Sequence, residues 1–404
     1  MNAVIHPGKL KGTVAVPPSK SMAHRLMICA ALAEGTSRIH GIGNSDDIQA
    51  TLDCLNALGM TSEWENDVLT VSGGIIRNGN DVILPCRESA STMRFLLPLA
   101  TVMCDRVTVN GSDRLMERGI GVYEDLFRKN GIRVTVDENG IRTEGRLKAG
   151  DYGIPGNISS QFASGLLIAL SVCPGESTLT VLPPIESRPY IDMTVSVLNK
   201  FGAEIRKDGT NTYRVRGTTV FHAVESTAEG DWSAAAVFHT MNAMGHDISI
   251  SGTDPDSLQG DKACLQDLKE LANAQKVIDL TDTPDLGPIL FTVSAAGHGG
   301  RFTGTRRLAL KESNRAEAMI TELAKFGIRG TVGENSVTIC PGTLRSPESP
   351  LNGHGDHRIV MALTALCSLT GGTIIGAEAV SKSYPGFFDV MKELGMQIEF
   401  QDTI

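Results

Sequence analysis

The sequence predicts a duplicated α/β protein of two domains, and three observations support this fold class. The chain has 404 residues, whereas single cores seldom grow beyond roughly 250–300 residues. A helix that ends at a glycine, followed by short strands around a tight turn, recurs about every 70 residues, above the roughly 20–50 residues of solenoid repeats. Three such units precede about residue 225 and three follow it, so we expect each unit to be a small α/β subdomain.

Each repeat is recognised by leucines at helical spacing before a terminal glycine and by alternating residues after it. Clear copies of the helix and its strands lie at 51–59 with 60–71, 122–131 with 132–143, 195–202 with 203–215, 319–327 with 328–339 and 388–395 with 396–400. We expect a degraded sixth copy at 264–272, followed by a strand at 277–280.

Two crossovers divide the predicted domains. Residues 226–230 are small and polar between apolar segments, and a first strand predicted over 3–16 ends at Pro17-Pro18. We therefore expect an N-terminal domain over residues 18–228 and a C-terminal domain built from residues 1–17 and 229–404. A cleft between the two domains is the default place for a ligand.

Composition and motifs exclude several functional classes. The net charge of −9 argues against a nucleic-acid partner. No stretch approaches the ~20 apolar residues of a membrane span, and the N-terminus lacks a signal-peptide core. The eight cysteines are scattered without metal-ligand spacing, which indicates buried reduced thiols and a cytosolic location. Nucleotide-binding, nucleophile-elbow and metal-ligand motifs are absent from the sequence, so we expect no cofactor and no metal.

Several predicted helix starts carry small polar residues and then a cation about one turn later, a layout that favours anion binding. In the first half these are Lys20-Ser21 with Arg25, Ser89 or Ser91 with Arg94, Arg114 and Arg118 in a turn before a helix, and Ser159-Ser160-Gln161. The alternative for each is an ordinary N-cap beside a surface cation.

The second half holds the most reactive segment, Lys311-Glu312-Ser313-Asn314-Arg315. Spacing predicts Lys311 and Arg315 on one helix face, and Glu312 between two cations is a candidate general acid or base. An exposed charge network is the alternative.

Three further candidate site residues lie in the second half of the chain. Asp285 is a second candidate proton carrier, with a helix N-cap as its alternative. Arg358 opens a further apolar helix and Lys382 precedes the last one. Together these residues predict proton transfer on substrates with several negative charges.

The motifs stand in the order seen in the 5-enolpyruvylshikimate-3-phosphate synthase family, which the chain resembles over essentially its whole length. The matching segments are Ser19-Lys20-Ser21, Ser159-Ser160-Gln161-Phe162, Ser187-Arg188-Pro189-Tyr190, Gly230-Asp231, Pro284-Asp285, Lys311-Glu312-Ser313, Asp356-His357-Arg358 and Lys382-Ser383-Tyr384-Pro385. The resemblance implies a two-domain inside-out α/β barrel with three βαβαββ repeats per domain. It also implies a cytoplasmic monomer that transfers the enolpyruvyl group of phosphoenolpyruvate to the 5-hydroxyl of shikimate 3-phosphate, with no cofactor.

The resemblance also implies roles for individual residues. Those expected to bind shikimate 3-phosphate are Lys20, Ser21, Arg25, Ser159, Ser160, Gln161, Ser187, Tyr190, Asp285 and Lys311. Those expected to bind phosphoenolpyruvate are Lys20, Ala90, Arg94, Arg114, Gln161, Arg315, Arg358 and Lys382. Glu312 would protonate the methylene carbon, and Asp285, together with Lys20, would assist the attacking hydroxyl.

One departure from the family pattern and two alternatives are relevant to function. Ala90 stands where a glycine is usual, so its methyl group predicts reduced sensitivity to glyphosate. The sister enolpyruvyl transferase that acts on UDP-N-acetylglucosamine would carry a reactive loop cysteine, for which Cys86 and Cys104 are the nearest candidates. A non-catalytic polyanion-binding protein would have no need of Glu312 and Asp285 together.

Overall fold

The structure, a computed structural model, describes residues 1–74, 79–138, 140–217 and 220–401. The chain divides into two compact units. The N-terminal unit is Pro18–Glu229, and the C-terminal unit combines Met1–Pro17 with Gly230–Ile404. Each unit has its own hydrophobic core. Within the described residues, no helix has the length and apolar composition needed to cross a membrane.

Strands, singly or in groups of two or three, are interspersed with helices along the described chain. The strands are β1 Asn2–Ile5, β2 Lys11–Ala15, β3 Thr36–His40, β4 Thr61–Glu65, β5 Val68–Ser72, β6 Gly79–Arg87, β7 Cys104–Gly111, β8 Arg133–Asp137, β9 Gly140–Glu144, β10 Asp151–Pro155, β11 Glu176–Leu182, β12 Glu204–Asp208, β13 Thr212–Arg216, β14 Glu225–Thr227, β15 Asp247–Ser251, β16 Val277–Asp279, β17 Gly300–Thr303, β18 Gly330–Gly333, β19 Ser336–Ile339, β20 Leu351–Asn352, β21 Gly372–Ile375 and β22 Ile398–Gln401.

The helices are α1 Lys20–Leu32, α2 Asp46–Ala57, α3 Ala90–Met103, α4 Asp113–Arg118, α5 Gly121–Lys129, α6 Ser160–Val172, α7 Arg188–Lys200, α8 Trp232–Ala243, α9 Cys264–Asn273, α10 Gly287–Ala296, α11 Arg315–Lys325, α12 His357–Thr370 and α13 Phe387–Glu393. Short 3-10 helices lie at Gly260–Ala263, Pro284–Leu286, Arg306–Leu310 and Ala377–Lys382.

The N-terminal unit contains the same four-stranded sheet three times. The strand orders are β14-β3-β5-β4, β6-β7-β9-β8 and β10-β11-β13-β12. In each sheet the first two strands are parallel and the last two form an antiparallel hairpin. The first repeat takes its outer strand, β14, from the end of the unit, which is the crossover expected near residue 226.

The C-terminal unit has two such sheets and one smaller one. The orders are β16-β17-β19-β18, β20-β21-β1-β22 and β15-β2. Strand β1 completes the last repeat, pairing antiparallel with both β21 and β22. The chain start therefore belongs to the C-terminal unit.

One sequence prediction about strands is wrong, and a second strand is present but belongs to a different repeat than predicted. The single strand predicted over 3–16 is two strands, β1 and β2, in different sheets; Pro7, which has no backbone N–H, lies in the break between them. The strand predicted at 277–280 does not follow α9 as part of a hairpin. It is β16, which pairs in parallel with β17 and so opens the next repeat.

The core of each unit lies among helices. In the N-terminal unit α6 is buried on all residues but one, as an apolar helix without a polar face must be. It packs against α3, and a Cβ at Gly165 would collide with the Arg94 carbonyl oxygen, so glycine permits this close approach. In the C-terminal unit α8, α10 and α12 pack against one another.

Candidate active site

The starts of the buried helices in the N-terminal unit are capped by serines. Ser19, Ser89 and Ser159 accept backbone N–H groups at the starts of α1, α3 and α6. Ser89, and not the alternative Ser91, is thus the cap of α3. Lys20, Ala90 and Ser160 are the first residues of these helices, where unpaired N–H groups favour an anion.

Lys20 forms an ion pair that its local sequence does not predict. Its Nζ lies 2.6 Å from Asp47 Oδ2, and both side chains are largely buried. Asp47 is in the first turn of α2, 27 residues away along the chain. An anionic ligand at Lys20 would therefore compete with, or displace, this carboxylate.

Arg25 is 3% exposed and joins α1 to α7. Its Nε donates to Thr194 Oγ1 at 2.7 Å, its Nη2 donates to the Tyr190 carbonyl oxygen at 3.0 Å, and its Nη1 donates to the Ser21 carbonyl oxygen. Burial lowers the pKa of Arg25 to about 10, which leaves it charged at neutral pH. Ser187, just before α7, holds the left-handed φ of 55° and is 2% exposed; such strain in a non-glycine residue is common at functional sites.

Arg94 and Gln161 lie together, as one site requires. Arg94 Nη1 donates to Gln161 Oε1 at 2.9 Å, and Gln161 Nε2 donates to Ser91 Oγ at 2.8 Å. The Arg94 guanidinium also stacks over Phe162, 4.7 Å from the ring centroid. These contacts orient the planar guanidinium.

The two arginines expected in a turn lie in the short helix α4 instead. Arg114 is exposed and pairs with Glu117 at 3.2 Å. Arg118 is only partly exposed, and its carbonyl oxygen accepts a hydrogen bond from Arg94 Nη2 at 3.4 Å. The backbone of Arg118, at the end of α4, therefore contacts Arg94.

In the C-terminal unit, Arg315 is the centre of a buried ion cluster. It is 1% exposed. Its Nε and Nη2 donate to Asp356 at 2.8 and 3.1 Å, its Nη1 to Asp285 at 2.6 Å, and its Nη2 also to Glu312 at 2.7 Å. The two predicted proton carriers, Asp285 and Glu312, are therefore both bonded to one guanidinium.

Lys311 reaches the same cluster by a route that differs from the predicted one. It lies outside α11, which begins at Arg315, so the two cations do not share a helix face. They converge because Lys311 Nζ lies 2.9 Å from Asp285 Oδ1. Asp285 lies in the 3-10 helix Pro284–Leu286 and does not cap a helix.

Charge dominates the acid–base properties of this cluster. Burial favours the neutral form of Asp285, yet Lys311, Arg315 and Arg358 hold its pKa well below the usual range. Burial lowers the pKa of Lys311, and Asp285 partly opposes that shift. The carboxylates of Asp356, Glu312 and Asp285 raise the pKa of Arg315 despite its burial. Asp285 is therefore ionised at neutral pH in the ligand-free chain.

Arg358 differs from the other cations of this unit. It is 8% exposed and lines a small cavity with Ser233 and Asp285. Among the described residues, its Nε has no hydrogen-bond partner and its guanidinium forms no ion pair. A buried guanidinium in a cavity wall without a carboxylate partner is the arrangement expected for binding an anion.

Asp356 and Lys382 surround the start of α12. Asp356 is completely buried, caps α12 by accepting from Arg358 N at 2.9 Å, and receives a further hydrogen bond from Ser313 Oγ. Lys382 Nζ donates to the Gly355 carbonyl oxygen at 3.0 Å. Sequence reasoning had noted the segment Gly355-Asp356-His357-Arg358 but had missed Asp356 itself, whose position just before an apolar helix could have revealed it.

The chain resembles proteins of one family over nearly its whole length. Residues 4–391 match the family model described as EPSP synthase (3-phosphoshikimate 1-carboxyvinyltransferase). A relative from Clostridium kluyveri, named 3-phosphoshikimate 1-carboxyvinyltransferase, is 36% identical over 416 residues, which cover 98% of this chain and 97% of the relative. The relative of the same name from Clostridium acetobutylicum is 37% identical over 419 residues, covering 98% of each chain.

A solved structure of EPSP synthase from Acinetobacter baumannii shares the fold. Its TM-score is 0.80 at 24% sequence identity, covering 99% of this chain and 100% of that one. The predicted inside-out α/β fold is thereby confirmed. Repeated α/β units with charged helix starts define a class of protein suited to small anionic ligands. Within that class, the chain belongs to the EPSP synthase family.

Proposed function

We propose that this chain transfers the enolpyruvyl (carboxyvinyl) group of phosphoenolpyruvate to the 5-hydroxyl of shikimate 3-phosphate and releases phosphate. In the shikimate pathway this reaction leads to chorismate and the aromatic amino acids. Membership of the family supports the reaction type. The structural observation that carries the proposal is the pair of carboxylates, Asp285 and Glu312, bonded to Arg315 near Arg358, whose guanidinium forms no ion pair within the described part of the chain.

The reaction is an addition followed by an elimination. Glu312 protonates the methylene carbon of phosphoenolpyruvate, and positive character develops at the adjacent carbon. The 5-hydroxyl oxygen attacks that carbon as Asp285 takes its proton, with Lys20 assisting. Glu312, now a carboxylate, then takes a proton from the new methyl group of the tetrahedral intermediate as phosphate is expelled, which restores the vinyl group and returns the proton to Glu312. Holding both reactants supplies proximity, and the cations stabilise the leaving phosphate.

The assignment of residues to the two substrates follows the family resemblance. For shikimate 3-phosphate we assign Lys20, Ser21, Arg25, Ser159, Ser160, Gln161, Ser187, Tyr190, Asp285 and Lys311. For phosphoenolpyruvate we assign Lys20, Ala90, Arg94, Arg114, Gln161, Arg315, Arg358 and Lys382. Arg118 is a competitor to Arg114, because it lies beside Arg94.

The N-terminal unit is thus assigned mainly to shikimate 3-phosphate. Residues of the C-terminal unit complete the phosphoenolpyruvate site. The chemistry consists of proton transfers and addition–elimination, so it needs no cofactor or metal. We assign the enzyme to the cytoplasm, where phosphoenolpyruvate is produced, and we expect it to act as a monomer.

The cysteines support the shikimate enzyme over its sister that acts on UDP-N-acetylglucosamine. Cys86 is 0% exposed within β6, and Cys104, where α3 passes into β7, is 4% exposed. Burial raises the pKa of the Cys104 thiol. Neither has the exposed, thiolate-favouring surroundings of a reactive cysteine.

The test is phosphate release from phosphoenolpyruvate, without added metal, with shikimate 3-phosphate or UDP-N-acetylglucosamine as acceptor. We expect release only with shikimate 3-phosphate. A reaction without acceptor controls for phosphatase contamination, and Glu312→Gln controls for the proposed site. Release only with the sugar nucleotide would assign the sister activity, and release with neither acceptor would leave a polyanion-binding role.

A further inference from the structure

Asp261 is a buried carboxyl that the proposed reaction leaves unused. It lies in the 3-10 helix Gly260–Ala263 and is 0% exposed. Its Oδ2 shares a hydrogen bond with the Ser233 hydroxyl, whereas its Oδ1 has no hydrogen-bond partner among the described residues. An ionised carboxylate with a buried, unpartnered oxygen is unfavourable unless something else stabilises it.

Ser233 connects this carboxyl to the candidate site. It is the second residue of α8, and its side chain lines the small cavity that Asp285 and Arg358 also line. Arg358 is a buried cation whose guanidinium forms no ion pair in the described part of this unit. Ser233 therefore connects Asp261, by a hydrogen bond, to the cavity that Arg358 also lines.

A serine hydroxyl has a single proton, so its role depends on the state of Asp261. When Asp261 is ionised, Ser233 donates its proton to the carboxylate and offers only lone pairs to the cavity. When Asp261 is protonated, the carboxyl donates to Ser233 Oγ, and the serine proton is free to donate to an anion. The second arrangement suits a phosphate or carboxylate beside Arg358.

The charges around Asp261 bring these two states close in free energy. Burial disfavours the ionised form, Asp285 on the 3-10 helix Pro284–Leu286 and Asp231 at the start of α8 repel it, and Arg358 on α12 attracts it. The pKa of Asp261 is raised to about 6 as a result. On α9, Cys264 interacts with Asp261, and burial, together with the charges of Asp261 and Asp267, raises the pKa of its thiol, so the thiol stays protonated.

We propose that Asp261 is a positioning residue whose proton directs the Ser233 hydroxyl toward an anionic group of phosphoenolpyruvate beside Arg358. The proposal rests on the function proposed above. A bound anion offsets the attraction of Arg358 for the Asp261 carboxylate and adds repulsion of its own. Binding therefore raises the proton affinity of Asp261, and a proton is taken up. The sign follows directly: phosphoenolpyruvate binds more tightly as the pH falls through the titration of Asp261.

The experiment compares the KM for phosphoenolpyruvate at saturating shikimate 3-phosphate between about pH 5.5 and pH 7.5. The forms compared are wild type, Asp261→Asn and Asp267→Asn. Asp267 is the matched control because burial also raises its pKa to about 6, yet it does not line the cavity. The titration of phosphoenolpyruvate itself is common to all forms, so only differences between them are interpreted.

We expect KM to rise with pH in wild type and in Asp267→Asn more steeply than in Asp261→Asn, whose amide can donate to Ser233 at every pH. The difference is about tenfold for each unit by which the anion raises the pKa of Asp261. An Asp261→Asn profile parallel to wild type would overturn the proposal. Thermal unfolding of each variant checks that it is folded.

Ser233→Ala provides a second test that does not depend on the folding of Asp261→Asn. It should raise KM about tenfold at the lower pH, where Ser233 donates to the anion, and much less at the higher pH. An equal rise at both pH values would indicate a merely structural serine and overturn the proposal. Turnover of wild type with shikimate 3-phosphate separates failure of this inference from failure of the proposed function. If wild type showed no turnover, the proposed function itself would be wrong, whereas normal turnover with an unaltered pH profile in the variants would overturn only the role of Asp261.

Discussion

Replacing Arg315 with methionine should destabilise the C-terminal unit more than any exposed ion pair could. The substitution keeps the length and apolar packing of the side chain but removes its charge. Arg315 is 1% exposed and bonds to the carboxylates of Asp285, Glu312 and Asp356. Without it, the completely buried carboxylate of Asp356 and the partly exposed carboxylates of Asp285 and Glu312 would share one region with fewer cations.

The size of the effect follows from what each carboxylate retains. Asp285 keeps Lys311 at 2.9 Å, and Asp356 keeps hydrogen bonds from Ser313 Oγ and Arg358 N. Removing one partner of a buried ion pair costs about 3–5 kcal/mol because an uncompensated charge remains. We expect a loss of that size in the free energy of unfolding at neutral pH, and not a multiple of it, because these remaining donors stay.

The two tryptophans make the assay specific to one unit. Trp232 is in the C-terminal unit and 4% exposed, whereas Trp64 is in the N-terminal unit and 37% exposed. In a Trp64→Phe background, tryptophan fluorescence during urea unfolding therefore reports on the unit that holds Arg315. Lys11→Met is the matched control, because the pair of Lys11 with Asp247 is exposed on both sides and should contribute about 0–1 kcal/mol.

The pH dependence gives a second check on the same reasoning. In wild type the pKa of Asp285 is held well below its usual range, so its contribution is present at neutral pH and is lost only as the pH falls through that low value. In Arg315→Met, burial should raise the pKa values of the orphaned carboxyls, so protonation stabilises the variant as the pH falls from about 7 to 5. The difference in the free energy of unfolding between wild type and Arg315→Met should therefore become smaller as the pH falls. Either of two results would refute this account of the cluster. One is a loss of unfolding free energy in Arg315→Met no larger than that in Lys11→Met, and the other is a difference between wild type and Arg315→Met that grows toward pH 5.

Three further substitutions test individual assignments by steady-state phosphate release. Glu312→Gln should lower kcat by about 10²–10⁴-fold with little change in KM, since the amide keeps the shape but delivers no proton; an unchanged kcat would remove Glu312 from proton transfer. Ala90→Gly should tighten inhibition by glyphosate about tenfold or more, because a methyl group leaves the proposed pocket wall; equal inhibition of both forms would contradict this. Arg114→Met should raise the KM for phosphoenolpyruvate about tenfold or more, since Arg114 is assigned to that substrate; a larger rise in Arg118→Met, whose backbone carbonyl oxygen accepts a hydrogen bond from Arg94 Nη2, would transfer the assignment to Arg118.

Local signals account for the parts of the fold that the sequence predicts well. The helix at 195–202 stops at Gly202, whose φ of 97° suits glycine, and the hairpin of β12 and β13 follows directly. Pairing between distant segments has no such signal. Strand β1 completes a sheet with β21 and β22 from the far end of the chain, so the predicted strand at 3–16 could not be divided correctly from its own residues.

The same distinction applies to the candidate site. Helix starts with serines were visible because capping depends on neighbouring residues. The ion pair of Lys20 has no such local signal. Asp47 lies on another helix, and only folding brings its Oδ2 within 2.6 Å of Lys20 Nζ. Helical spacing placed Lys311 with Arg315 for the wrong reason, since a 3-10 helix and a short extended segment precede α11. Asp261 was overlooked because a single aspartate after a glycine has no distinctive pattern.

The pairing of cations with carboxylates explains how a chain with a net charge of −9 can bind substrates that are themselves anions. Lys20 is held by Asp47, and Arg315 by three carboxylates. These pairs orient the cations before any ligand arrives, but each carboxylate also weakens the attraction for an incoming anion. Arg358 has no such partner among the described residues. An anion that reaches Arg358 displaces no carboxylate, so this contact should contribute more to binding than a contact with a cation that is already neutralised.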